Sequence, residues 1–275
     1  MQRLFLPMLL VLAAASSARA QGVPALNRSQ RDTLRYREIT TSSSTLMMGN
    51  TRIESGVRHN ALIALTFARG DTALAWYEAL SLSQTTPTGR QEPATDDALG
   101  KPFVLRLTPR SQATTLSSPS FPAAVEGIAD LAQQFTDFFT TLPDGPLTPG
   151  RTWSDVVSVP GPLSAAPKRF VAVRSYRVRG DSLVGGERVV VIEARAQITL
   201  ESTMEEAGRV QHMRADGEER GLVFFAPGTG RWAGRDRRGE LQGTITGTGA
   251  PVEYTFRYSS VISPVARAAA PAASP

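Results

Sequence analysis

The stretch from Ile192 to Glu201 alternates without a break, and Val190 extends its apolar phase. Val190, Ile192, Ala194, Ala196, Ile198 and Leu200 fall in one phase, and Glu193, Arg195, Gln197, Thr199 and Glu201 fall in the other. A period of two puts every apolar side chain on one face and every polar one on the opposite face. That is the form of an antiparallel strand buried on one side and wet on the other. The same grammar recurs along the chain. Leu34 and Tyr36 alternate with Arg35 and Arg37; Ile63, Leu65 and Phe67 share a side; Phe103, Leu105 and Leu107 point inward together. In 73–83, Leu74, Trp76, Leu80 and Leu82 are expected on one face. Near the end, Val252, Tyr254, Phe256, Tyr258 and Ile262 alternate with Glu253, Thr255, Arg257 and Ser259. Glycine supplies the positive φ of tight turns. Gly-Asp at 70–71 and at 180–181 therefore reads as two turns, each after a strand and before another, a hint of two related β halves.

One segment breaks the period. Val125, Ile128, Ala132, Phe135, Phe139 and Leu142 recur at spacings of three and four, with Leu131 and Phe138 widening the stripe. Ser120 stands ready as N-cap and Pro122 in the first turn. The spacing predicts an amphipathic helix over about 121–142, with an apolar face broad enough to need a large cover. "LPDGPLTPGRTW" (142–153) follows. Its prolines stiffen a crossing, Gly150 allows a sharp turn, and Trp153 opens the second set of strands, where it is expected to plug a core edge.

The first twenty residues stand apart. Met1-Gln2-Arg3, an apolar run from Leu4 to Ala15 and Ala18-Arg19-Ala20 make a secretory signal peptide, too short to span a bilayer. The expected protein is exported, to the periplasm or beyond, with no stable membrane insertion after cleavage. Of 275 residues, removal of 20 leaves 255, enough for one β-rich domain over 21–265 with halves at about 31–142 and 150–265. The tail at 266–275, "ARAAAPAASP", reads as disordered. There is no Cys, so neither a disulfide nor a lipidated Cys can form, and stability must come from a core. The formal charge of +5 falls to +3 without Arg3 and Arg19, too weak and too dispersed for a nucleic-acid partner. The densest basic cluster, "RWAGRDRRGE" (231–240), carries its own acids and reads as a solvated, ion-paired turn.

Chemistry-bearing motifs are missing. His59 and His212 stand 153 residues apart and outside any ligand-spaced motif, so no metal site is expected. There is no Gly-x-Ser-x-Gly elbow and no Gly-Lys-Ser/Thr phosphate loop, and the Gly-rich runs near 228 and 243 do not match a dinucleotide fingerprint. The acid pairs Asp96-Asp97, Glu205-Glu206 and Glu218-Glu219 would point to opposite faces of a strand, which suits solvated turns better than paired catalysis. No catalytic residue, cofactor or metal is assigned.

The helix, the "LP…GPLTPGRTW" crossing and the strands with Gly-rich ends resemble a group of exported, uncharacterised bacterial β-rich proteins. The arrangement is also similar to periplasmic lipoprotein carriers of the LolA-like type. That resemblance implies an incomplete antiparallel barrel with a helical lid over acyl chains. The expected fold is therefore mainly β: a curved sheet or incomplete barrel built from two halves, with one packed helix. The expected function is non-catalytic binding of an apolar or amphiphilic, lipid-like ligand between helix and sheet. Trp76, Phe135, Phe138, Phe139, Trp153, Tyr254 and Phe256 are the side chains expected at the ligand. The alternatives are a structural or partner-binding envelope protein whose core the helix fills, and a hydrolase with none of the motifs above. A cavity of several hundred Å³ would favour binding, and native packing density would favour the filled core.

Overall fold

The structure is a computed structural model. It describes residues 22–265 other than 30, 31, 69, 127, 130, 132, 133, 164, 165, 207, 208 and 248, without the side chains of 159–163, 166–168, 204–206 and 209. The expected signal peptide and tail lie outside the described residues.

The strands of the first half are β1 (Leu34–Met48), β2 (Thr51–Phe67), β3 (Thr72–Thr86), β4 (Gly89–Gln91), β5 (Phe103–Leu107) and β6 (Ala113–Ser117). Those of the second are β7 (Thr152–Leu163), β8 (Ala166–Val184), β9 (Glu187–Glu206), β10 (Arg209–Ala226), β11 (Arg231–Thr246) and β12 (Val252–Pro264). All twelve belong to one sheet, in the order β6-β5-β3-β2-β1-β12-β11-β10-β9-β8-β7, with β4 on β3. The two halves are thus meanders of a single antiparallel sheet. They are joined where β1 pairs with β12, from Tyr36 opposite Pro264 to Met47 opposite Glu253. β6 and β7 form its two edges.

That order dictates what the segment between β6 and β7 must do, because it has to travel from one edge to the other. It crosses the inner face. Val125, Leu131, Phe135, Phe138, Leu142 and Leu147 are buried in one core with Tyr36, Ile63, Phe103, Ile192 and Phe225 of the sheet. The long helix expected here is not formed. Among the described residues of 121–142, helical structure is confined to a four-residue turn, α1 (Ala123–Glu126), and a 3-10 turn at Gln134–Asp137. The apolar spacing reflects a different constraint: this connector is enclosed by a curved sheet and fills it with irregular backbone. Gly150, at φ +85°, then turns the chain into β7, its N–H donating to the Val178 carbonyl at 2.9 Å.

Curvature comes from a run of glycines on the inner face of β10 and β11. The inward-facing pairs there are Ala215–Gly243, Gly217–Leu241, Glu219–Gly239 and Gly221–Arg237, so each contains one glycine. A Cβ on Gly217 would stand 2.0 Å from the Glu240 carbonyl oxygen, and one on Gly243 would stand 1.9 Å from that of Arg214. The strands close on each other at a corner that only glycine fits.

Two irregularities move side chains from their expected places. The β2–β3 register shifts between Leu62 and Ile63, leaving Glu78 as the extra residue. Tyr77, Leu80 and Leu82 all face the core, while Leu74 and Trp76 lie on the outer face. The second Gly-Asp is not a turn: Gly180 and Asp181 lie within β8, beside a bulge after Val178. The hairpin to β9 is made by Gly185 and Gly186, at φ +57° and +82°.

Candidate functional site

Register divides the inner face into three bands. The upper band, toward the β2–β3, β8–β9 and β10–β11 turns, is the apolar core that the connector fills. Leu26 and Asn27 close this end, their N–H groups donating to the carbonyls of Pro109 (3.1 Å) and Gly230 (2.7 Å). The gap left between connector and sheet, beside Phe138, Phe139 and Trp232, is about 10 Å³. Packing there is close to native density rather than open for a ligand.

The middle band is an ionic belt. Asp137, on the connector's 3-10 turn, is gripped by two arginines of the sheet. Arg174 of β8 donates to both its oxygens, at 2.8 Å for Nη2 to Oδ2, and Arg237 of β11 donates to Oδ2 at 2.6 Å. Arg174 Nε lies 3.3 Å from Oε1 of Glu219 on β10, and Tyr258 donates to Oε2 of the same carboxylate at 2.6 Å. Arg235 Nη1 donates to the carbonyls of Asp137 and Phe138, at 2.6 and 2.9 Å. Glu38 of β1 accepts from Gln134 of the connector and, at 3.3 Å, from Ser260. Arg174 and Glu219 are only 4% and 3% exposed at their side chains. Burial alone would raise the pKa of Asp137, but Arg174 and then Arg237 outweigh it and hold the carboxyl well below the usual range. Burial, and then the like charge of Arg237, lower the pKa of Arg235. Three arginines face three carboxylates, and every carboxylate is engaged. The arrangement clasps the connector to the sheet and leaves none of the belt's carboxylates free to act as a base.

The lower band is apolar again, and no described connector residue belongs to its cluster. Ala172, Ala196, Ile198, Ala215 and Leu241 form a second buried cluster. Phe170, Leu200, Tyr254, Phe256 and Tyr258 pack against it while remaining partly exposed. Tyr254 and Phe256 stack with centroids 6.4 Å apart. Across the β1–β12 seam the same rows continue as Ser42, Ser44 and Leu46, also half-buried.

The seven residues expected at a ligand therefore separate into three groups. Phe135, Phe138 and Phe139 are buried in the upper core, Phe135 lying 4.7 Å from the Phe103 ring. Trp153 plugs the edge of that core: its Nε1 donates to the Thr141 carbonyl at 2.8 Å and its ring stacks on Tyr176. Trp76 sits on the outer face, away from the connector, because of the β3 bulge. Only Tyr254 and Phe256 lie in the lower band. The belt went unread in the sequence. The cluster expected to be a solvated turn is strand β11, with Arg235 and Arg237 turned inward, and Glu219 is buried while Glu218 is exposed. A signal was present, since Arg174 interrupts the apolar phase of Phe170, Ala172, Tyr176 and Val178. His59 is buried against Tyr77, and burial lowers its pKa.

No protein-family model matches the chain, and no curated protein matches it. A solved structure of lipovitellin, described by its lipid–protein interactions, is similar with a TM-score of 0.54 and 12% identity, over 90% of this chain and 26% of that one. The chain thus spans about a quarter of lipovitellin, and at this identity the likeness is one of fold. OccK2 (OpdF) of Pseudomonas aeruginosa matches at TM-score 0.24 and 8% identity, over 86% of this chain and 98% of that one. A DUF1329 family protein from Desulfovibrio piger matches at 0.15 and 11%, over 84% and 85%. At such scores neither bears on fold or function. No helix among the described residues is long and apolar enough to cross a membrane.

Proposed function

We propose that this is an exported, non-catalytic envelope protein that holds an apolar or amphiphilic, lipid-like ligand on the lower inner face of its sheet. The observation that carries the reading is the half-exposed apolar surface of Phe170, Leu200, Tyr254 and Phe256, in a cluster separate from the one that the described connector residues fill. Large apolar side chains on a concave face are what such a ligand needs. The proposed ligand position is below the ionic belt rather than between connector and sheet. The likeness to lipovitellin supports the reading at the level of fold, and the signal-peptide pattern supports export. The proposed role is of the kind filled by periplasmic carriers of the LolA-like type.

Native mass spectrometry of protein purified from a bacterial envelope should show co-purified lipid. An added fluorescent acyl probe should brighten on binding, and Phe256→Ser should abolish the gain. Unliganded protein that leaves the probe unchanged would remove the reading. The second reading, a structural or partner-binding envelope protein, would then stand, and the close packing of the connector favours it.

A further inference from the structure

We propose that the open edge of β7 pairs with the same edge of a second copy, antiparallel about Val156, so that two sheets join into one. The proposal is independent of the ligand reading above.

Hydrogen-bond phase shows which backbone groups the edge offers. The Arg151 carbonyl accepts from the Val178 N–H at 2.9 Å, so it points toward β8. In an antiparallel pair, residues alternate between those that bond to the neighbouring strand and those that face away from it. The β7–β8 register runs without a shift from Thr152 to Leu163. Thr152, Ser154, Val156, Ser158, Pro160 and Pro162 therefore turn their backbone groups to the open edge. Among the described residues, no other backbone segment bonds to those of Thr152, Ser154, Val156 or Ser158.

The edge is guarded over only part of its length. Both prolines fall in the phase where a missing N–H costs the sheet nothing, and there they blunt pairing beyond Ser158. From Thr152 to Ser158 there is no Pro, Lys or Arg. The one charge, Asp155, lies on the inner face and accepts from the Tyr176 hydroxyl at 3.1 Å. On the outer face Val156, 64% exposed, stands opposite Val173, 52% exposed. A long, apolar, unguarded edge is a template for another strand.

The strand itself names the occupant, because it is complementary to its own copy in one register. With Val156 opposite the partner's Val156, Ser154 meets the partner's Ser158 and Thr152 meets the partner's Pro160. Every open N–H from Thr152 to Ser158 then finds a carbonyl, and on the inner face Asp155 meets the partner's Val157. Centring the pair on Asp155 would set like charges directly opposite each other, which is unfavourable. Centring it on Val157 would set Ser154 against the partner's Pro160, which has no N–H to give. A ladder of this length buries less than the ~800 Å² per partner of a standard interface, so the dimer should dissociate on dilution.

Sedimentation of the mature protein over a range of concentrations should show a monomer–dimer equilibrium. Val156→Lys sets two cations face to face, and Ser158→Pro removes an N–H at both ends of the ladder. Each should leave only monomer, with circular dichroism unchanged because neither position bonds to β8. The chain has no Cys, so single cysteines report the register. Val156→Cys meets its own copy at ~5.5 Å between Cα atoms, within disulfide range, and should cross-link under mild oxidation. Thr152→Cys places the two Cα atoms ~26 Å apart, at ~3.3 Å per residue, and should not. A protein that stays monomeric at every concentration, or that fails to cross-link at 156, would overturn the proposal. So would a dimer that survives both substitutions, or cross-linking as efficient at 152 as at 156. Assemblies that grow past two copies would overturn it too, since they would mean that β7 pairs with the β6 edge of the next chain.

Discussion

Replacing Asp137 by asparagine keeps the size of the side chain and removes its charge. In the folded protein that leaves Arg174 and Arg237 facing an amide in place of the carboxylate they share. Half the amide presents N–H groups, which cannot accept from either guanidinium. Removing one partner from a buried ion pair costs about 3–5 kcal/mol, since the charges left behind stay desolvated. With two arginines affected, the upper part of that range is expected. For a chain of this size each kcal/mol moves Tm by about 2–4 °C, so the midpoint should fall by about 10–20 °C. Urea unfolding of Asp137→Asn against the unmodified protein measures the difference, with an unchanged slope confirming that the same surface is exposed. The pH dependence supplies a second check. The folded carboxyl titrates below the ordinary value, so its contribution is complete above about pH 4 to 5 and is lost only as pH falls through the folded value. The two stability curves should run parallel at neutral pH and converge in acid. A loss under about 1 kcal/mol would refute the reasoning, because that is the size expected of a hydrated surface pair.

Phe135→Ala should cost about 3–5 kcal/mol, from lost burial plus the cavity left among Tyr77, Phe103 and Phe138; thermal unfolding within a degree of the unmodified protein would make the connector peripheral. Gly217→Ala should cost at least about 2–3 kcal/mol by overpacking the corner. Gly56→Ala, whose Cβ would stand 3.5 Å from the Ser42 carbonyl oxygen, should stay within about 0.5 kcal/mol, and equal effects in denaturant titrations would argue against a tight corner. Intact-mass measurement on secreted protein should give a chain beginning at Gln21, and a retained Met1 would rule out the signal peptide.

Strand content and the faces of most strands were legible because period-two alternation reports directly on which side is buried. Val190 to Leu200 and Val252 to Ile262 needed no tertiary information. The connector was not legible as such. Its apolar residues meet a curved sheet, so Val125, Leu131, Phe135, Phe138, Phe139 and Leu142 are buried although the backbone is irregular, and spacings of three and four arise without a helix. Trp76 was misplaced because a single extra residue, Glu78, inverts the phase of β3, and an insertion of one leaves no compositional mark. The belt is the more instructive loss. Arginine and glutamate in an apolar phase look like exceptions when each strand is read alone. Only register brings Arg174, Glu219 and Arg237 together around Asp137, a residue distant from all three in the chain.

Pairing β1 with β12 has a consequence for how the protein can be made. Glu38 lies opposite Ile262, 224 positions later in the chain, so the seam at the centre of the sheet is the last to be assembled. Until β12 has emerged, β1 is an open edge on a half-finished meander. Sheets closed by such remote pairings fold slowly, in milliseconds to seconds, and an edge left waiting invites other chains to pair with it. The residues of β1 suit that wait: Thr40, Thr41, Ser42, Ser43, Ser44 and Thr45 hold a strand conformation while offering little apolar surface to a stray partner. A polar run at that edge is what would keep the nascent protein from pairing with other chains until its two halves meet.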